Sequence, residues 1–545
     1  MATAAELFEK LLERRGYANP DDRELFLRPE YEKSKHDPWL LPDMAPAVAR
    51  LQQAQQKGER VVIYGDYDID GLTATTLLRD AFTSFGINVE TFIPNRFIEG
   101  YGLSSEAIKT LAQKGYQLVV TVDCGSLSHK EIELANELGM EVIVTDHHNV
   151  APEMPAAVAT INPKRPDHDY PFIDLAGVGV AFKLVQAMQQ KMDGLPLGHE
   201  KWLLDLVAMG TVCDVVTLVD ENRTNVLWGL KVLSKTRRVG LRALAEAAGV
   251  EMDSVNARHL GYVLGPHLNA SGRMETAQIS LDLFTALDRQ KGDEVAAVLR
   301  QMNIDRRAEQ DRIFAAALEQ ATQFEDDPVL VLSAPDWSHG IIGIVAAKIL
   351  EAHKKPTYVL QEMEDGTSKG SARSYGDFSA ADAIRAAESV IEKGGGHKLA
   401  AGVTLKTENI AAFRKAVNDF YRSQNFTDQH EHLKPVPDLE LDSFDGLDFE
   451  FLDYLTQLEP CGNGNPEPIV RVSPVTLTEA RPVGTDGRHL KIAAKDKNGR
   501  VMKGIGFGMG SQADKAGQTV TLTFKVNCNE WMGRKSVEGM VVAID

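Results

Sequence analysis

The sequence predicts a multidomain α/β protein: a doubly wound parallel sheet, a long connecting helix, a second and smaller α/β unit, and a C-terminal OB-like β barrel. Three observations carry this. Between about residues 50 and 165, the β-branched runs Arg60–Tyr64 (RVVIY), Leu118–Val122 (LVVTV) and Glu141–Thr145 (EVIVT) alternate with amphipathic helical patterns that include Leu72–Phe85 and Ser104–Lys114. That alternation is the signature of parallel strands covered on both faces. From Gly292 to Phe324, apolar residues recur at helical spacing with no Gly or Pro after Asp293. In the last hundred or so residues, short alternating runs are separated by turn signals at Gly484–Gly487 and Asp496–Gly499, the pattern of a small barrel.

In chain order, residues 1–49 form an N-terminal segment expected to pack on the sheet domain, which spans 50–280. Within that domain, residues 180–250 read as helical, with Leu203–Met209 leading to Asp214. The connecting helical segment covers 281–326. The second α/β unit, 327–425, opens with the strand-like VLVLSA after Pro328 and continues through a helix Ile342–Ala352 and a strand Pro356–Leu360. The barrel takes 426–545.

With 545 residues, 43% hydrophobic and 25% charged, the chain can build several cores and has no composition for disorder. No apolar run approaches the roughly 20 residues needed to span a bilayer, and Met1–Arg15 lacks a signal-peptide centre. The expectation is a cytoplasmic protein without a membrane partner. Cys124, Cys213, Cys461 and Cys528 form no CxxC pair, which points away from a zinc knuckle or a disulfide framework. A net charge of −19 argues at first against nucleic acid, yet the charge is uneven. Asp438 to Asp453 holds seven acids and no base, whereas Arg481 to Asp545 holds eleven Lys/Arg against six Asp/Glu. A basic surface on the last domain is compatible with phosphate contacts.

In an open parallel sheet, ligands bind beyond the carboxyl ends of the strands. After the first run comes GDYDIDG with Asp66, Asp68 and Asp70, after the second Asp123, and after the third Asp146, His147 and His148; GTVCDVV adds Asp214. A single Asp there is commonly a turn or helix cap. Several converging at one sheet edge repel one another and raise each other's pKa unless a cation intervenes. Oxygen-rich ligation with one or two imidazoles and no thiolate suits Mn²⁺ or Mg²⁺. Two such ions are a standard device for in-line attack on a phosphoryl centre, so phosphoester hydrolysis is the expected chemistry.

DYDIDG, VDCG, the Asp146–His148 triplet and the later Asp214 resemble the motif series of the DHH phosphoesterase family. Further segments resemble its RecJ-type exonucleases in order: ERRGYANPDDRELFLRP, DPWLLPDMAPAVARL, GPHLNASGRM, SHGIIGIVA, GSARS, GGGHKLAAG and LEPCGNGNPEP. The resemblance implies a DHH catalytic domain, a DHH-associated second lobe and an OB-like nucleic-acid-binding domain. It implies two Mn²⁺ or Mg²⁺ ions held by Asp66, Asp68, Asp70, Asp123, His147 and Asp214, with Asp70 and Asp123 bridging. By the same resemblance His148 contacts phosphate and Asp146 orients a histidine. The implied activity is 5′-to-3′ degradation of single-stranded DNA to 5′-mononucleotides in recombination and repair. The implied protein partners are single-stranded-DNA-binding protein and a helicase.

The later motifs also have a physical reading. Glycines in GSARS and GGGHKLAAG let backbone N–H groups approach a phosphate, with Ser371, Arg373 and His397 supplying polar contacts. Arg273 can offer two parallel donors to phosphate oxygens; Asn269 and His339 are weaker candidates of the same kind. Trp531, followed by Arg534 and Lys535, can stack on a base or fill a core. Two alternatives stay open: a phosphodiesterase of the same chemistry acting on short oligonucleotides or cyclic dinucleotides, and a noncatalytic single-stranded-DNA-binding scaffold.

Overall fold

The computed structural model describes residues 2–424, Phe426 and residues 429–545. Its first sheet has five parallel strands, β1 (Arg60–Tyr64), β2 (Asn88–Phe92), β3 (Leu118–Val122), β4 (Glu141–Thr145) and β5 (Ala159–Ile161), in the order β2-β1-β3-β4-β5. Every residue of β3 and all but the first of β1 and β4 are buried, because helices cover both faces of the sheet. From β1 the chain goes to β2 on one side and then to β3 on the other. The crevice where an open sheet binds its ligand therefore lies at the ends of β1 and β3. The sequence pattern passed over β2 (NVETF), an edge strand without a fully buried residue, and over β5, which has three residues.

The helix Ile69–Ser84 begins earlier than its apolar pattern suggests, because Asp68 caps it by accepting from Gly71 N at 3.1 Å. The helices Gly177–Gln189 and Leu204–Cys213 are apolar almost all round and bury nearly every residue, as helices inside a domain do. The 33-residue helix Arg289–Ala321 joins two cores. Its Val295 and Leu299 pack in the first, its Ile313, Ala317 and Ala321 in the second.

The second sheet runs β6-β7-β8-β10-β9, formed by β6 (Leu330–Ala334), β7 (Thr357–Glu362), β8 (Thr367–Arg373), β9 (Lys393–Gly396) and β10 (Ala400–Lys406). Its β6–β7 pair is parallel and the rest antiparallel. The last domain carries β11 (Leu439–Leu441), β12 (Val470–Val483), β13 (His489–Lys495), β14 (Val501–Gly506), β15 (Thr519–Trp531) and β16 (Arg534–Ile544). Pairing runs β12-β13-β14-β16-β15, and β15 pairs again with β12. Both expected turns, at 484–487 and 496–499, connect neighbouring strands of this domain.

One expectation is corrected. The first helix does not pack on the sheet domain: Ala4, Leu7, Phe8, Leu11 and Leu12 of Ala4–Arg14, with Phe26, belong to the core of the C-terminal domain together with Leu439, Phe444 and Phe451. Arg15 Nε donates to Asp438 Oδ1 at 2.8 Å. An amphipathic stripe shows that a face is buried, not in which core. Polar contacts with the sheet domain begin at Phe26 and Pro29, whose carbonyls accept from Arg223 and Trp228 at 3.0 and 3.1 Å, and burial in its core begins at Tyr31. No described helix is long and apolar enough to cross a membrane.

Candidate functional site

Strand ends bring the acidic motifs together. Asp66 stands two residues beyond β1, Asp123 follows β3, and Asp146–His148 follow β4. Asp70 lies in the first turn of Ile69–Ser84 and Asp214 caps the end of Leu204–Cys213. Potential ligand atoms within 4.8 Å of one another fall into three overlapping groups: Asp66, Asp68, Asp123; Asp70, His147, Asp214; and Asp123, His147, His148. His147 Nε2 is 3.0 Å from Asp123 Oδ1, 3.6 Å from Asp214 Oδ2 and 3.8 Å from Asp70 Oδ2. Asp123 adopts a left-handed φ of 60°, and strain of this kind in a non-glycine residue gathers at functional sites. The neighbouring helices approach so closely that Gly177 and Gly210 have no room for a side chain. A Cβ would sit 2.8 Å from Asp123 Cβ in the first case and 2.8 Å from Asp70 Oδ1 in the second.

Four buried atoms of this pocket have no hydrogen-bond partner among the described residues: Asp66 Oδ1, Asp123 Oδ1, His147 Nε2 and Asp214 Oδ2. Buried acceptors are rarely left this way, since each costs about 1–3 kcal/mol. The electrostatics agree. Burial first, and neighbouring carboxylates next, push Asp66 and Asp123 well above the ordinary carboxylate range. Asp70 rises to about 7 for the same reasons, although Gly177 N and Val178 N donate to it at 2.6 and 2.8 Å. Burial, helped by the charge of His148, lowers His147 to about 3, so its imidazole is neutral and able to ligate. These donors fit paired hard divalent cations.

Asp146 behaves differently. Burial alone would raise it, but the hydrogen bond and charge of His148 prevail and hold it well below the usual range. Asp146 Oδ1 lies 2.9 Å from His148 Nδ1 and accepts from the His147 and His148 amides at 2.7 and 3.1 Å. Tyr101 donates to Asp123 O at 3.2 Å and lies 3.0 Å from His148 Nδ1.

Arginines gather beside the acids, with Arg96 near enough to Asp66 and Arg273 near enough to Asp68 for their charges to interact. Arg273 donates to Gly340 O at 3.0 Å; burial, then Arg96, Arg306 and Arg373, lower it to about 9. Among the described residues none of these four guanidiniums has a carboxylate within ion-pair distance. Asn269, Arg273 and Arg306 line a cleft of about 800 Å³ that Tyr262, Lys525 and Met540 also border, between the catalytic side and the C-terminal domain. His339 joins Arg96 and Lys369 around a separate hollow of about 360 Å³. On β8, Ser371 and Arg373 sit against Gly343 in the first turn of the helix Ile342–His353. His397 Nδ1 is 3.5 Å from Asn149 Nδ2, next to His148, and so touches the first lobe from the second.

Sequence reasoning missed Arg96 and Arg306. Arg96 follows β2, the strand the pattern passed over, and it stacks 4.2 Å over the Tyr67 ring with its Nε buried and without a hydrogen-bond partner among the described residues. Arg306 sits in the long helix among charged residues, and only its burial at 8% exposure distinguishes it.

Comparison with known proteins matches the chain to three family models: the DHH family N-terminal domain over residues 60–211, the DHHA1 domain over 326–423 and the RecJ OB domain over 438–543. The single-stranded-DNA-specific exonuclease RecJ of Bacillus subtilis is 34% identical over 540 residues, covering 98% of this chain and 67% of that protein. Its Haemophilus influenzae namesake is 33% identical, covering 94% and 92%. Among solved structures, RecJ from Thermus thermophilus in complex with Mn²⁺ superposes with a TM-score of 0.85 at 30% identity, covering 99% of this chain and 76% of that one. The same protein has also been solved with Mg²⁺.

Proposed function

The chain belongs to the RecJ family of DHH phosphoesterases, and from that premise we propose that it is a metal-dependent exonuclease that degrades single-stranded DNA from the 5′ end to 5′-mononucleotides. The carrying observation is the pocket of four buried acceptors without a hydrogen-bond partner among the described residues, beside a wall of guanidiniums without a carboxylate partner among them. A charged phosphodiester and cations together would satisfy both walls.

Asp66, Asp68, Asp70, Asp123, His147 and Asp214 would hold two Mn²⁺ or Mg²⁺ ions. When bound, such ions supply positive charge at a phosphoryl group and lower the pKa of water. The side chains do the rest. The Gly177 and Val178 amides hold Asp70 in one orientation, and Asp146 fixes the ring of His148, which faces a phosphate oxygen. Arg273, Arg96 and Arg373 offer paired donors to nonbridging or terminal oxygens. Asn269, His339, Ser371 and His397 position the nucleotide between the lobes. The C-terminal domain, with Lys525 at the border of the cleft, holds the strand beyond it. Trp531, 73% exposed at the end of β15, is free to stack on a base. The setting is cytoplasmic recombination and repair, alongside single-stranded-DNA-binding protein and a helicase.

The test is digestion of end-labelled single- and double-stranded DNA with each divalent metal in turn, beside a dinucleotide. Release of mononucleotides from the 5′ end of single strands, dependent on Mn²⁺ or Mg²⁺, is the expected result. Faster turnover of the dinucleotide than of long single strands would instead make the chain an oligonucleotide phosphodiesterase.

A further inference from the structure

The segment Leu458–Pro468 (LEPCGNGNPEP) belongs to the C-terminal domain, yet its loop lies against the turn that follows Asp214. Asn463 Nδ2 donates to Val215 O at 2.9 Å, and Leu218 N donates to Asn463 O at 2.7 Å. One residue thus grips both ends of the turn 215–218. The turn needs a grip. Val215 sits at φ +63°, a left-handed conformation that a β-branched side chain adopts only when its surroundings impose it. The loop is shaped for the contact: at Gly464, φ +73°, a Cβ would come 3.1 Å from Thr217 Cβ.

The loop is itself held in place. Asn465 Nδ2 donates to Leu458 O and Pro460 O at 2.8 and 3.0 Å. Arg223, buried in the helix Asp220–Leu233 just beyond the turn, donates to Leu458 O at 2.8 Å, Pro460 O at 3.2 Å, Gln457 O at 3.1 Å and Phe26 O at 3.0 Å. By contrast, among the described residues no group donates a hydrogen bond to the Asp214 carboxylate, whose Oδ2 is buried. Its direction is set by the helix behind it and the turn ahead of it.

We propose that Asn463 is a positioning residue for Asp214: by pinning Val215 in its left-handed turn it aims the Asp214 carboxylate into the metal pocket, so that the C-terminal domain completes the metal centre. This rests on the metal assignment alone and not on the identity of the substrate.

The experiment measures Mn²⁺ binding by the full chain without DNA, using electron paramagnetic resonance of free Mn²⁺. Asn463→Ala should weaken binding about tenfold, the usual scale for partners that orient a ligand. Asn463→Asp, which places an oxygen against Val215 O, should weaken it at least as much. Adding Val215→Gly to Asn463→Ala should bring affinity back to within about threefold of the parent, because glycine takes a positive φ without help. Binding of single-stranded DNA in EDTA, followed by fluorescence anisotropy, should be unchanged in Asn463→Ala. Unaltered Mn²⁺ affinity in both Asn463 variants overturns the proposal. So does failure of Val215→Gly to recover a weakened affinity, since the loss would then not run through the turn. A protein that binds Mn²⁺ but cleaves no DNA would sink the exonuclease reading and leave this one standing.

Discussion

Replacing Asp214 by Asn should make the metal-free protein more stable and the metal-loaded protein less so. Burial first, then Asp70, push the Asp214 carboxyl up to about 9, whereas in the unfolded chain it titrates near about 3.9. Between these values the folded, metal-free state keeps a proton that the unfolded state has released. Stability therefore falls as pH rises through that window. From pH 5 to 8 the ceiling is about 4 kcal/mol, at about 1.4 kcal/mol per unit. Sharing the burden with Asp70, itself raised to about 7, leaves about 2 kcal/mol for Asp214. Asn has nothing to ionise. In EDTA at pH 8, Asp214→Asn should melt about 5 °C above the parent, and at pH 5 the gap should shrink. Saturating Mn²⁺ should reverse the order, because the parent keeps a ligand that the variant has lost. Thermal melts at both pH values, with EDTA and with Mn²⁺, make the comparison. A variant that melts at or below the parent in EDTA at pH 8, or that gains as much from Mn²⁺, would refute the reasoning.

Asp123→Ala, which removes a carboxylate common to two of the three ligand groups, should reduce hydrolysis of labelled single strands to background while DNA binding in EDTA persists. Arg96→Ala should cost about 10–100-fold in kcat/KM, the worth of one charge-assisted hydrogen bond; Arg96→Lys should recover only part, lacking the paired donors. Trp531→Ala should weaken anisotropy-measured binding of a long single strand by about 5–100-fold, one base stack, and leave turnover of a three-nucleotide substrate nearly unchanged. Arg223→Met removes the donor from Phe26 O and Gln457 O while Asn465 still serves Leu458 O and Pro460 O, and should destabilise the domain contact by about 3 kcal/mol, visible as faster release of the C-terminal domain by limited proteolysis.

What the residues disclose before any coordinates follows from how local the cause is. VVIY, LVVTV and EVIVT are legible because both faces of those strands are buried and nearly every position is apolar or β-branched; the carboxylates stand immediately after them, so the pocket's composition could be read with the strands. NVETF hides at the sheet edge, and Arg96 went unnoticed with it. Arg306, Asn463 and Arg223 leave no local trace at all, since each acts through backbone or side-chain groups brought near only by the fold. Val215 reads as an ordinary apolar residue after a helix, and nothing in its neighbours announces a left-handed turn. Asp43, also left-handed at φ 55°, is equally silent in the sequence.

The first helix completes the core of the last domain, and Arg15 meets Asp438 across 423 positions of chain. During synthesis at about 5–20 residues per second, that helix waits roughly 20–90 s for its partner strands to leave the ribosome. Through that interval Leu7, Phe8, Leu11 and Leu12 have nowhere to go. A nascent chain in this condition is a natural client for a holding chaperone, and a fusion or deletion at the amino terminus would be felt first as poor assembly of the strand-holding domain at the other end.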